Sequence, residues 1–236
     1  QISALKEDPH EIEVLDAACG SGQHAIALAA QGFRMSGADL FPEMVSIAQA
    51  NSLAADQNLN LKTVGFGAMT PAFGKERFDA ILCLGNSLPH VLSQQELKNA
   101  LADFTSMLKP GGLLILQSRN FDKVLKEKQR FMDPQAVDDQ NKHYVFFRFY
   151  DFLANGLIQF NILTLSREGA QAWQTAMDST LLYPLSSSRL GEALSSLGFG
   201  ELNSYGNMAG GPFDPQSSPD LVLVAKMPTS IGSKAQ

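Results

Sequence analysis

Between residues 11 and 119, short apolar runs alternate with stretches whose apolar residues recur at helical spacing. Residues 14–18 form an apolar run that ends in Gly20-Ser21-Gly22, and an alanine-rich helical stretch follows over 24–30. Residues 33–39 read as a second strand. Residues 42–54 read as a helix, with Pro42 suited to the first turn. A third strand is expected over 61–66. A fourth, over 78–84, is nearly all apolar, as a strand covered on both faces should be. Ser93 and Glu96 form a capping box. The helix it opens carries Leu97, Leu101, Phe104 and Leu108 on one face. Lys109-Pro110-Gly111-Gly112 stops that helix, and 113–116 is a fifth strand. Strict alternation of strand and helix implies a parallel sheet wound on both sides.

The pattern then changes. Residues 142–153 are rich in aromatics, as strands are. Asn155-Gly156 is a strong hairpin signal, with 157–165 as the returning strand. Glu168-Gly169 turns the chain into a third strand over 171–182. Residues from about 130 to 182 therefore read as an antiparallel meander set into the α/β core. Leu190, Ala193, Leu194 and Leu197 share a helical face, and Gly198 sits where a C-cap belongs. Residues 200–205 and 221–226 are the last two strands, with Ala209-Gly210-Gly211-Pro212 between them. The polar end, 228–236, is expected to fray. The expected organisation is one domain over 1–236. Its core takes 11–119 and 184–227, and a β-rich insertion or lid takes about 120–183.

Composition narrows the function. The chain has 236 residues, 44% hydrophobic and 18% charged, so a disordered chain is excluded. The net charge is −6 with no basic stripe, and no nucleic-acid partner is expected. Cys19 and Cys83 make no disulfide scaffold and have no metal-ligand spacing, so no metal is expected. The apolar runs are strand-sized, and no membrane partner is expected. There is no signal-peptide pattern, and the chain begins at Gln1 rather than a methionine, so a leader is expected to be missing from it. A cytoplasmic protein is the expectation.

The chemistry starts at residues 14–22, Val-Leu-Asp-Ala-Ala-Cys-Gly-Ser-Gly. Small residues between a strand and a helix let backbone approach a ligand, and the helix start offers free N–H donors. A dinucleotide would need G-x-G-x-x-G, with Ala25 a tolerated substitute for the third glycine, so Gly20 and Gly22 alone do not decide. Asp16 would meet a pyrophosphate as a like charge. It suits a cationic ligand instead. Asp39, at the end of the second strand, is placed to accept both hydroxyls of a ribose. Two such acids favour a nucleoside with a positively charged arm, and S-adenosylmethionine fits that description.

Several stretches together resemble the class I S-adenosylmethionine-dependent methyltransferases. They are residues 14–22, Gly37 to Met44, Phe78-Asp79-Ala80-Ile81, Lys109-Pro110-Gly111-Gly112 and the final strand, and they span nearly the whole chain in order. Within that family, Leu84-Gly85-Asn86-Ser87-Leu88-Pro89-His90 and Ser118-Arg119-Asn120-Phe121-Asp122 are similar to the glycine and sarcosine N-methyltransferase group. The resemblance implies a doubly wound, mostly parallel, seven-stranded Rossmann-like α/β sheet with a reversed last strand. It also implies an antiparallel β insertion after strand five.

The resemblance further implies the site. Ala18, Gly20 and Gly22 line the methionine arm with Asp16 close by, and Asp39 holds the ribose hydroxyls. Leu40 and Met44 flank the adenine, Ala68 and Met69 sit at its edge, and Leu84 offers its carbonyl to the cofactor amino group. Asn86, His90 and Arg119 face the substrate, with Arg119 gripping a carboxylate. The chain departs from the family at Ala18, often glycine, at Ala68, often aspartate, and at Phe41, usually small and polar.

The implied activity is in-line methyl transfer to a small molecule, foremost the amine of an amino-acid-like substrate. A small-molecule O-methyltransferase, which would need His90 as base, and a catalytically silent cofactor-binding domain are the alternatives. Asp16 argues against a nicotinamide-dependent dehydrogenase. For Arg119 the plain alternative is a structural ion pair, and for His90 a supporting histidine. Tyr144, Phe146, Arg148 and Tyr150 share a strand face that reads first as core or interface. The insertion's strands would leave exposed edges if alone, so it is expected to cover the site or join a homo-oligomer.

Overall fold

The computed structural model describes residues 1–229. Fraying of 230–236, part of the expected polar end, lies outside the described residues.

β1 (Glu13–Asp16) leads through the glycine turn into α1 (Gln23–Ala29), then β2 (Arg34–Asp39), α2 (Pro42–Ala54) and β3 (Asn60–Thr63). A four-residue α3 (Thr70–Phe73) precedes β4 (Phe78–Cys83), α4 (Gln94–Met107) and β5 (Leu108–Arg119). α5 (Phe121–Glu127) opens the insertion, which continues as β6 (Gln135–Asp139), β7 (Lys142–Phe152), β8 (Ile158–Glu168) and β9 (Gln174–Leu182). α6 (Ser187–Ser196), β10 (Glu201–Tyr205) and β11 (Asp220–Lys226) complete the core.

Seven strands form one sheet in the order β10-β11-β5-β4-β1-β2-β3. All pairs are parallel except those of β11, which runs antiparallel to both neighbours. This is the doubly wound α/β sheet with a reversed last strand that the sequence predicts. Two apolar clusters cover its faces. One gathers Leu15, Ile81, Leu101, Phe104 and Leu223, and the other Val14, Ala80, Leu82, Ile115 and Val224. Neighbouring residues of β1, β4 and β11 thus point into opposite clusters, so the middles of these strands are apolar on both faces. The order reverses between β1 and β4. In such sheets the crevice at the carboxyl ends of the strands, at the reversal, is where ligands bind.

The insertion is a separate four-stranded antiparallel sheet, β6-β7-β8-β9, with one strand more than the meander expected. β6 reads Gln-Ala-Val-Asp-Asp, all exposed, and carries no apolar alternation of its own. It exists because β7 offers it an edge. A third apolar cluster, Phe121, Val124, Tyr150, Ile158 and Leu182, ties α5 to this sheet.

Two boundaries and one cap differ from expectation for a visible reason. β3 ends at Thr63 rather than 66, because Gly65 and Gly67 (φ +79°) leave the strand and turn. β5 begins at Leu108. The Lys109–Gly112 stretch is not a loop before it but an irregularity within it, since Phe78 pairs with Leu108 and Ala80 with Leu113. The capping box is offset: Ser93 Oγ accepts the Glu96 amide at 3.2 Å, and Glu96 reaches back to the Leu92 amide at 2.9 Å.

Candidate active site

The glycine turn is held by its neighbours. Gly20 (φ +52°) and Gly22 (φ +84°) occupy the left-handed region that other residues avoid. A Cβ on Gly22 would stand 3.1 Å from Ala48 Cβ, so glycine lets α1 close on α2. The Gly20 amide donates to Asp39 Oδ2 at 2.9 Å, and the Phe41 amide donates to Oδ1 at 3.0 Å. The ends of β1 and β2 are thereby locked together around one carboxylate.

Asp16 sits in the last position of β1 and is 1% exposed, and among the described residues neither of its oxygens makes a well-formed hydrogen bond, the Ala18 amide being its nearest donor. Buried polar atoms are ordinarily paired, so this carboxylate is set for something else. Burial pushes its pKa up to about 6, against the pull of His24.

Beyond it opens a cleft of about 630 Å³, lined by Ala17, Ala18, Asp39, Leu40, Phe41, Met44, the 64–68 turn, Ser87 and His90. Leu40, Phe41 and Met44 leave 63%, 61% and 38% of their surface exposed, which makes an apolar rim open to a flat ligand. Ala68 lines this cleft.

Met69 is placed otherwise than the edge position expected of it. Its side chain is fully buried, and its amide donates to Asp103 Oδ2 at 2.7 Å. The first amides of α3 need acceptors, and Asp103 on α4 supplies both carboxylate oxygens to Met69 and Thr70. Leu84 is buried, with its carbonyl accepting Ser87 Oγ at 2.7 Å.

A second cavity, about 590 Å³, lies between the ends of β4 and β5 and one face of the insertion sheet. Asn86, His90 and Arg119 come together on its core side. Asn86 adopts φ +61°, and its Oδ1 accepts the Arg119 amide at 3.0 Å. Arg119 also pairs with Asp220 at 3.4 Å, while half its side chain stays exposed. Tyr150, Arg148, Asp178 and Thr180 line the opposite side. His90 lines both cavities. Burial holds its imidazole below the usual histidine range, so it is neutral at pH 7.

Several lining residues escaped sequence reasoning. Gln117 accepts the amides of Gly85 and Asn86 on Oε1 at 2.8 and 3.2 Å. A lone glutamine in the run Leu113–Leu116 then Gln117 was its signal. Asp220, Asp178 and Thr180 carried none. Tyr150 and Arg148 belong to the aromatic stripe; Tyr150 is both a member of the third apolar cluster and part of the cavity wall, and Arg148 lines the cavity beside it.

Residues 14–112 match the family model of the methyltransferase domain. That part of the chain belongs to the methyltransferase domain family. Over 179 residues the methyltransferase is 34% identical to the glycine/sarcosine N-methyltransferase of Aphanothece halophytica, a match over 71% of this chain and 65% of that protein. It spans less than two thirds of the length of the curated relatives it matches first. A methyltransferase from Clostridium acetobutylicum shares the fold with a TM-score of 0.75 at 17% identity, over 93% of this chain and 86% of that one. So does a methyltransferase of an amino pentose from Micromonospora echinaspora, solved with S-adenosylmethionine bound, at a TM-score of 0.68 and 20% identity, over 96% and 87%.

Proposed function

We propose that this methyltransferase carries a methyl group from S-adenosylmethionine to the amine of a small, amino-acid-like acceptor. The observation that carries the reading is His90 standing in the wall of two cavities at once. One cavity suits a nucleoside and the other a small polar molecule, and transfer between two molecules needs two sites that touch.

The first cleft fits the cofactor on its own features. Asp16 stands behind its wall, one residue before the lining Ala17, with two buried oxygens suited to a cationic arm. Gly20 has nothing within 4 Å of where a Cβ would stand, and Ala17 and Ala18 keep the adjoining wall thin. Asp39 retains a lone pair on each oxygen for ribose hydroxyls beyond its two amide contacts. Leu40 and Met44 offer apolar surface to a purine, with Ala68 at its edge. When bound, the cofactor supplies a methyl carbon made electrophilic by its sulfonium, which an amine displaces in line.

The second cavity holds the acceptor. Arg119 presents a planar fork for a carboxylate and is steadied at its backbone by Asn86. His90, neutral at working pH, takes the proton that the amine gives up. The insertion covers the acceptor and limits water at the reacting atoms. The relative from Aphanothece halophytica is named for glycine and sarcosine, and the structure from Micromonospora echinaspora for an amino sugar; both names support an amine.

The outer face of the insertion sheet adds a second part to the proposal, a homo-oligomer. Phe147, Leu163 and Met177 form one register row there, with Phe147 and Met177 38% and 53% exposed.

Calorimetric titration with S-adenosylmethionine, S-adenosylhomocysteine and NAD, followed by methyl transfer to a panel of amines and hydroxy acids, tests the reading. Binding of the adenosyl ligands and methylation of amines supports it. Binding of NAD alone, or transfer to hydroxy acids only, overturns it.

A further inference from the structure

The second cavity is larger than a glycine needs. Its 590 Å³ falls within the roughly 300–1,000 Å³ of pockets that enclose whole multi-ring ligands. Its far side is also charged, in an order set by strand register. Tyr150, Phe160 and Thr180 stand opposite one another in one row, and Arg148, Ile162 and Asp178 form the next. The Tyr150 row is the nearer to His90. From Thr180 the chain runs on to Tyr183, whose amide donates to the Pro89 carbonyl at 2.7 Å.

Two residues along a strand set the rows about 7 Å apart, and two strand spacings set Arg148 roughly 10 Å from Asp178. Neither charge is neutralised among the described residues. Arg148 donates to Gln135 Oε1 at 2.6 Å and lies over the Phe146 ring, with no carboxylate partner. The Asp178 side chain makes no hydrogen bond or ion pair. Unpaired surface charges are commonplace, but these two stand in one row and line the same cavity as Tyr150 and Thr180, which form the row beside it. Glycine, held at Arg119 and His90, would leave both unused.

We propose that Arg148 and Asp178 determine specificity for an amine that carries an anionic arm. Arg148 binds a carboxylate or phosphate on that arm, one row beyond the reacting nitrogen. Asp178 accepts a hydrogen bond from a hydroxyl or ammonium on the same arm. The inference rests on the amine-methylation reading and deepens it.

The test uses glycine, L-glutamate and O-phospho-L-serine. Each is titrated into the protein loaded with S-adenosylhomocysteine, and each is assayed as acceptor with S-adenosylmethionine. At least one armed amine should bind and react about tenfold better than glycine, the worth of one charge-assisted contact. The preference between glutamate and phosphoserine separates carboxylate from phosphate. Arg148→Gln, with a wild-type melting curve, should collapse the ratio of armed to unarmed kcat/KM about tenfold through KM. Arg148→Lys should restore part of it, and with 3-hydroxy-L-glutamate, whose arm also carries a hydroxyl, Asp178→Asn should lower the same ratio less. Glycine methylated as well as both armed amines, or a ratio that Arg148→Gln leaves standing, overturns this inference alone. If the cofactor binds but no amine reacts, the amine reading beneath it falls.

Discussion

Asn86 Oδ1 accepts the backbone amide of Arg119 at 3.0 Å, so a residue three places past β4 fixes the last residue of β5. The bond places a guanidinium from below rather than by gripping it. Removing it with Asn86→Ala also puts alanine at φ +61°. Loss of one hydrogen bond plus left-handed strain should cost about 2 kcal/mol of stability. The effect on acceptor KM should exceed that on the affinity for S-adenosylmethionine, as steady-state kinetics beside calorimetry would show.

The Asp16 carboxyl is raised by burial to about 6. Its folded pKa lies above the unfolded value of about 4, so folding favours the neutral acid. The cost of ionising it is absent below about pH 4, grows between 4 and 6, and is complete above. Asp16→Asn should therefore stabilise the unliganded protein at pH 8, by at most about 3 kcal/mol, and not at pH 4. Melting curves at the two pH values read this directly. The same change should weaken S-adenosylmethionine more than uncharged S-adenosylhomocysteine. In the wild type, affinity for the sulfonium should rise with pH through about 6 and release a proton on binding.

For His90 the sign is opposite in kind. Burial lowers its pKa, so the neutral base is present above that value and is lost as pH falls through it. At saturating S-adenosylmethionine, where Asp16 no longer limits binding, kcat should fall on the acid side below about 6.5. His90→Asn should remove that limb and cost about a hundredfold in kcat if the histidine takes the proton. A flat wild-type profile would show that water takes it.

Phe147, in the outer row of the insertion sheet, tests the proposed homo-oligomer. Light scattering on the wild type should give a multiple of 25.5 kDa, and Phe147→Glu should return the single-chain mass. A wild type of single-chain mass ends the idea.

What could be read from sequence divides by range. The β1 turn was legible because Gly20, Gly22 and Asp39 act within a few residues of strand and helix signals. β4 was legible because a strand covered on both faces is nearly all apolar, Asp79 being its one exception. β6 was not, since its five exposed residues become a strand only beside β7. The direction of the Met69 amide depends on Asp103, 34 positions away. Arg148 and Asp178 could be brought to one wall only by the register of three strands. Residue types were visible from the chain, and their long-range partners were not.

The contact between Tyr183 and Pro89 joins the insertion to the turn that carries His90. It makes the roof and the shared wall a single lever. An acceptor seated against Thr180 and Asp178 thus rests on a strand whose continuation is bonded to the residue beside the imidazole, and both ends of the acceptor meet one continuous wall.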